Sequence, residues 1–61
     1  MEKATLIGFL KSLPKTMNAD ARVMALATEY GLDLMTAENL IDAWLLGDEW
    51  LTEEIELYHA S

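Results

Sequence analysis

Apolar residues recur along the chain at the three-and-four spacing of amphipathic helices, and single Pro and Gly residues divide them into four segments. Leu6, Phe9, Leu10 and Leu13 stand at i, i+3, i+4 and i+7, while Glu2, Lys3, Thr5, Lys11 and Ser12 fall mostly on the other side. A first helix is therefore predicted from about Glu2 to Leu13, ended by Pro14. Gly8 inside it costs roughly 1 kcal/mol relative to Ala, which implies a closely packed neighbouring backbone or a helix otherwise well held. Asn18 is a good N-cap for a second helix, Ala19 to Tyr30, with Val23, Leu26, Ala27 and Tyr30 inward and Gly31 just past its end. Ala21, Ala25 and Thr28 make a second face of small residues suited to close helix packing.

Thr36 is read as the cap of a third helix, with Met35 and Leu40 at the spacing of a hydrophobic staple. Ala37, Leu40, Ile41, Trp44 and Leu45 then form its buried stripe, Glu38, Asn39 and Asp42 face away, and Gly47 stops it. A last helix starts at Asp48 or at Thr52; Asp48, Glu49, Glu53 and Glu54 suit the positive end of its dipole in either register. Its inward stripe is Leu51, Ile55 and Tyr58. Leu46, Trp50 and Leu57 lie off the stripes, so three large apolar groups have no expected place in the core of one copy. No segment alternates with β-branched enrichment, and Ile and Val together number four. The predicted fold is a compact all-α bundle of three or four short helices with an αα-corner, spanning residues 1–61 as one small domain and self-associating.

Composition narrows the function. With 61 residues, a core buries only about 60% of the unfolded surface, so a deep enclosed substrate pocket is not expected. There is no Cys and a single His, which removes disulfides and the usual zinc spacings and makes cytoplasm the expected compartment. The apolar run Ala4 to Leu10 is broken by Gly8 and has no signal-peptide cleavage pattern after it, and no run approaches the ~18 apolar residues of a membrane span. Lys3, Lys11 and Lys15 opposite Phe9 would suit a membrane-surface helix, but the acidic remainder would be repelled by anionic lipid.

Charge is segregated. Residues 1–22 contain all four bases, Lys3, Lys11, Lys15 and Arg22, against Glu2 and Asp20, a net of +2; the rest has nine acids and no base, and the whole chain carries -7. Such a dipolar distribution steers a basic partner to the acidic half or aligns copies head to tail.

The stretch Leu26-Ala27-Thr28-Glu29-Tyr30-Gly31-Leu32-Asp33-Leu34-Met35-Thr36-Ala37-Glu38-Asn39-Leu40 resembles the helix-turn-helix pattern, with Ala27 in the first helix, Gly31 four residues on, an apolar residue next and a second helix after it. That resemblance covers about a quarter of the sequence and implies a corner geometry. As a DNA-binding regulator the chain would lack its contacts, because the second helix offers Glu38, Asn39 and Asp42 where this family presents cations and amides to phosphates and bases.

Catalytic parts are missing. Ser12 and Ser61 are the only serines, there is no Gly-rich phosphate loop, and His59 stands near the end of the sequence, so no catalytic residue, cofactor or enzyme activity is expected. Glu56 and His59 form Glu-x-x-His, a di-iron bundle motif that a symmetric dimer would have to double; chance spacing in an acid-rich segment explains it, and no metal site is expected. The expected function is a small acidic, non-enzymatic interaction module. Its partner-binding residues are Asp48, Glu49, Trp50, Glu53, Glu54 and Leu57, with Trp44 or Trp50 as anchor, docking on a larger protein with a basic surface that otherwise holds nucleic acid. In size, acidity and want of catalytic parts the chain is similar to phage-encoded inhibitors of host nucleic-acid machinery. A homo-oligomeric assembly module is the alternative, and direct binding to nucleic acid or membrane is not expected.

Overall fold

Four helices, α1 (Lys3–Ser12), α2 (Ala19–Tyr30), α3 (Leu34–Leu46) and α4 (Asp48–Ala60), make up the computed structural model, which describes residues 1–60 and contains no strand among them. Ser61, the second of the two serines, lies outside the described residues. No helix among the described residues is long and apolar enough to cross a membrane. α3 packs on α4 and on α2, and α1 closes the bundle by packing on α4. Each helix contributes two or three side chains to one core: Leu6 and Leu10, Leu26 and Ala27, Ala37 with Leu40 and Ile41, Leu51 and Ile55. Phe9, Val23, Tyr30, Leu32 and Trp44 pack around it, and the Phe9 and Tyr30 rings meet edge to face at 6.0 Å, which ties α1 to α2.

The punctuation acts through specific hydrogen bonds. Leu13 precedes Pro14 and is extended (φ -68, ψ 143), which ends α1. The connection to α2 is held by Arg22, whose guanidinium donates to the carbonyls of Met17 (3.1 Å) and Lys15 (3.3 Å). Asn18 Oδ1 caps α2 by accepting from Ala21 N–H at 2.8 Å. At the other end Gly31 takes the left-handed conformation (φ 65, ψ 41), and the Ala27 carbonyl accepts from the N–H groups of both Gly31 and Leu32. This turn carries Leu32 back onto the core and leaves Asp33 as the next residue, so α2 and α3 are joined by three residues.

The start of α3 corrects the cap expected at Thr36. Asp33 is the N-cap, its Oδ1 accepting from Thr36 N–H at 2.8 Å, and the helix begins at Leu34. Both residues are capping types; the carboxylate wins because it adds a charge at the positive helix end and follows directly from the Gly31 turn. The staple positions are consequently Leu32 and Ala37, both in or on the core, while Met35 is 74% exposed. The Thr36 hydroxyl, then its backbone N–H, hold the Asp33 carboxyl below its ordinary value of 3.8, against a smaller opposing effect of burial.

α3 and α4 are separated by Gly47 alone, so of the two starts considered α4 takes Asp48. Gly47 N–H donates to Ala43 O and Gly47 O accepts from Leu51 N–H, both at 3.1 Å, so one residue closes one helix and opens the next. It does so at φ 152, ψ 166, a region that in practice only glycine occupies.

Two stripe assignments are overturned. Leu45 is 69% exposed because it sits at the edge of its apolar arc, at one end of the space between α2 and α3, and Tyr58 is 37% exposed beside Thr36 and Asn39 of α3. Ala43, expected in no stripe, is buried. The small face of α2 is not tightly packed: Thr28 is exposed and Ala21 and Ala25 are half-buried. Gly8 is exposed too, and a Cβ there would meet nothing within 4 Å, so no backbone packs against it and α1 is held by its core contacts instead.

Two stability predictions follow from these glycines and the Asp33 cap. Gly8→Ala should raise unfolding stability by about 0.5–1 kcal/mol, whereas Gly47→Ala should lower it by about 1–3 kcal/mol, both read from denaturant midpoints. Because the folded pKa of Asp33 is depressed, its contribution is complete above 3.8 and disappears as pH falls through the lower folded value. The stability difference between wild type and Asp33→Asn should therefore change across that acid window and stay constant above it; a difference independent of pH would remove the charge from the cap.

Candidate protein-interaction site

α4 places the expected binding residues on different sides. With 3.6 residues per turn, Trp50, Glu53, Glu54 and Leu57 at i, i+3, i+4 and i+7 share one stripe, turned away from the buried Leu51 and Ile55. Trp50 is 56% exposed and Leu57 57%, and the two carboxylates lie between them along the helix. Leu46, also expected to lie outside the core, is exposed as well. Trp44 packs half-buried against the core, so Trp50 is the indole available as an anchor.

Asp48 is not part of this stripe. It faces α1, where Lys3 Nζ reaches its Oδ2 at 2.5 Å and Thr52 Oγ1 at 2.9 Å, while that hydroxyl donates to Asp48 O at 3.2 Å. The Lys3–Asp48 contact joins the basic segment to the acidic one inside the molecule, and is the only ion pair found among the described residues. Glu49 is exposed about 100° round from Trp50, on the flank of the stripe.

Beside the stripe, a groove of about 310 Å³ between α3 and α4 is lined by Thr36, Asn39, Leu40, Glu54, Leu57 and Tyr58. Glu54 and Leu57 thus belong both to the outer stripe and to the groove wall. A second groove, between α2 and α3, was not foreseen. Its wider part, about 330 Å³, has Met17, Val23, Ile41 and Leu45 with Asp20, Arg22, Glu38 and Asp42, and it continues past Val23 and Glu38 to Met24 and Leu34. Placing the α3 cap at Thr36 hides it, because that register leaves Leu34 and Met35 outside the helix and Leu45 in the core. The available signal was Leu34, Glu38, Asp42 and Leu45 recurring at helical spacing once α3 starts at Leu34.

No polar or charged residue is buried among the described ones, and no three His, Cys, Asp or Glu side chains lie together in a metal-holding group. His59 Nε2 lies 3.2 Å from Met1 N and 3.1 Å from Met1 O, which brings the end of α4 against residue 1. The outer face of α3 exposes Glu38, Asn39 and Asp42, and α3 contains no cation with which to meet phosphate. No protein family, curated protein or solved structure matches the chain.

Proposed function

We propose that the chain is a small acidic interaction module, a non-enzymatic regulator or inhibitor acting in the cytoplasm by docking the outer face of α4 on a larger protein with a basic surface. The observation that carries this reading is the Trp50–Glu53–Glu54–Leu57 stripe, two large apolar groups more than half in water with two carboxylates between them. An indole left exposed by folding retains much of its transfer free energy, at about 25 cal/mol per Å², for release on association. Carboxylates that form no ion pair among the described residues give the partner its sign: they attract a basic surface at long range and disfavour an acidic one. A surface evolved to hold nucleic acid meets both requirements.

Exposed large hydrophobic residues also occur on α2 and α3, among them Met24, Met35 and Leu46, and these favour the homo-oligomeric assembly module as a second reading. In that case the basic and acidic ends pair between copies, and the oligomer weakens with added salt.

Affinity capture from cell lysate, run with wild type, Trp50→Ala and Glu53→Lys/Glu54→Lys, separates the two. The docking reading predicts one abundant basic-surfaced partner whose yield falls at least about tenfold in both variants, consistent with loss of a hot spot worth 2 kcal/mol or so. Equal recovery by the charge variant would overturn it. Light scattering on the same samples across a salt series should show a salt-tolerant state; a defined oligomer that salt dissolves, with no partner captured, would establish the assembly module instead.

A further inference from the structure

We infer that the groove between α2 and α3 is a separate docking surface, shaped and charged for a basic amphipathic helix supplied by a partner protein. Its floor is apolar: Val23 and Ile41 lie at the bottom, Leu45 and Leu34 rise exposed at its ends, and Met17 and Met24 border it on the α2 side. Met17 faces the Leu45 end and Met24 the Leu34 end, so the two walls run antiparallel and the groove follows their length. From Leu34 to Leu45 it extends roughly 16 Å, about three helical turns, which accommodates apolar positions at i, i+3 or i+4, and i+7 of an incoming helix. Methionine borders adapt to differently shaped side chains, as suits such a groove.

The rim fixes the charge of the occupant. Asp20 from α2 faces Glu38 and Asp42 from α3, and none of the three forms an ion pair among the described residues. Glu38 and Asp42 are like charges at i, i+4, an arrangement that costs the isolated helix about 0.2–0.5 kcal/mol and that a cation would relieve. Arg22 is the one base in the lining, and its guanidinium is occupied by the Met17 and Lys15 carbonyls. Lys or Arg flanking the apolar stripe of an incoming helix would complement this rim, while phosphate or an anionic lipid surface would be repelled.

A second copy of the chain does not provide such a helix. All its bases lie in residues 1–22, and the only helix there with lysines, α1, spends Leu6 and Leu10 on its own core. The outer face of α1 exposes Ala4, Thr5, Gly8, Lys11 and Ser12, with no large apolar group to enter a groove. The occupant is therefore foreign to the chain. This inference concerns a different face from the α4 stripe and stands or falls separately from it.

The test is an NMR titration of the whole ¹⁵N-labelled chain with three synthetic peptides of about 14 residues. The first has Leu at i, i+3, i+4 and i+7 with Lys elsewhere, the second is a scramble of the same composition, and the third replaces Lys by Glu. The expected result is saturable binding of the first alone, with shift changes confined to Met17–Met24 and Leu34–Leu45. Affinity should fall at least about tenfold in Glu38→Lys/Asp42→Lys and in Leu45→Asp. All three positions are exposed, so these variants keep the fold, which circular dichroism verifies. Equal binding of the scramble, shift changes centred on Trp50 and Leu57, or affinity unaffected by the substitutions would each overturn the inference. So would concentration-dependent self-association that Leu45→Asp abolishes, since a second copy would then fill the groove.

Discussion

Everything in this molecule is arranged around a core that is small for the apolar content of the chain. Four helices of ten to thirteen residues meet in one cluster, and each has room to bury only a narrow stripe. Leu6, Leu26, Leu40 and Leu51, one from each helix, are completely buried and form its centre. A bundle of this size has more helix perimeter than partner surface, so side chains at the margins of each apolar arc remain in water. That constraint produces the exposed Trp50, Leu57, Leu34 and Leu45.

Closure of the bundle depends on the two ends of the sequence meeting. α1 joins Leu6 and Leu10 to the common core and packs along α4, where Lys3 binds Asp48 and Thr52. Burial of the leucines supplies the energy. The ion pair, partly exposed, contributes about 0–1 kcal/mol and serves mainly to set register. It also compensates the charge of Asp48, while Glu49, Glu53, Glu54 and Glu56 stay exposed or half-exposed on α4.

The two grooves share a logic. Each lies beside α3 and mixes apolar with polar lining, three carboxylates in the α2–α3 groove and Glu54 alone in the α3–α4 one, and neither contains a buried polar group among the described residues that would hold a small ligand in one orientation. They differ in how they meet the rest of the surface. The α3–α4 groove adjoins the Trp50 stripe through Glu54 and Leu57, whereas the α2–α3 groove is lined from two helices and has no exposed aromatic beside it.

The helical class, the ends of α2 and the centres of the four stripes are legible from residue order alone, because caps, Gly, Pro and the three-and-four spacing act within a few residues of one another. Asn18, Gly31, Pro14 and Gly47 did what their backbone chemistry requires wherever they occur. Residue order also determined that Leu46, Trp50 and Leu57 would lie outside. The competition between equivalent local signals and the width of each buried arc were resolved by helix packing. Asp33 stands as the cap in place of Thr36, with the Gly31 turn carrying Leu32 onto the core; Leu45 stays in water although it shares the apolar side of α3; and Asp48, on the Leu51–Ile55 side of α4 by its spacing, meets Lys3, 45 residues away in sequence. Spacing along one helix specifies which residues share a face, but which part of that face is covered depends on the position of another helix.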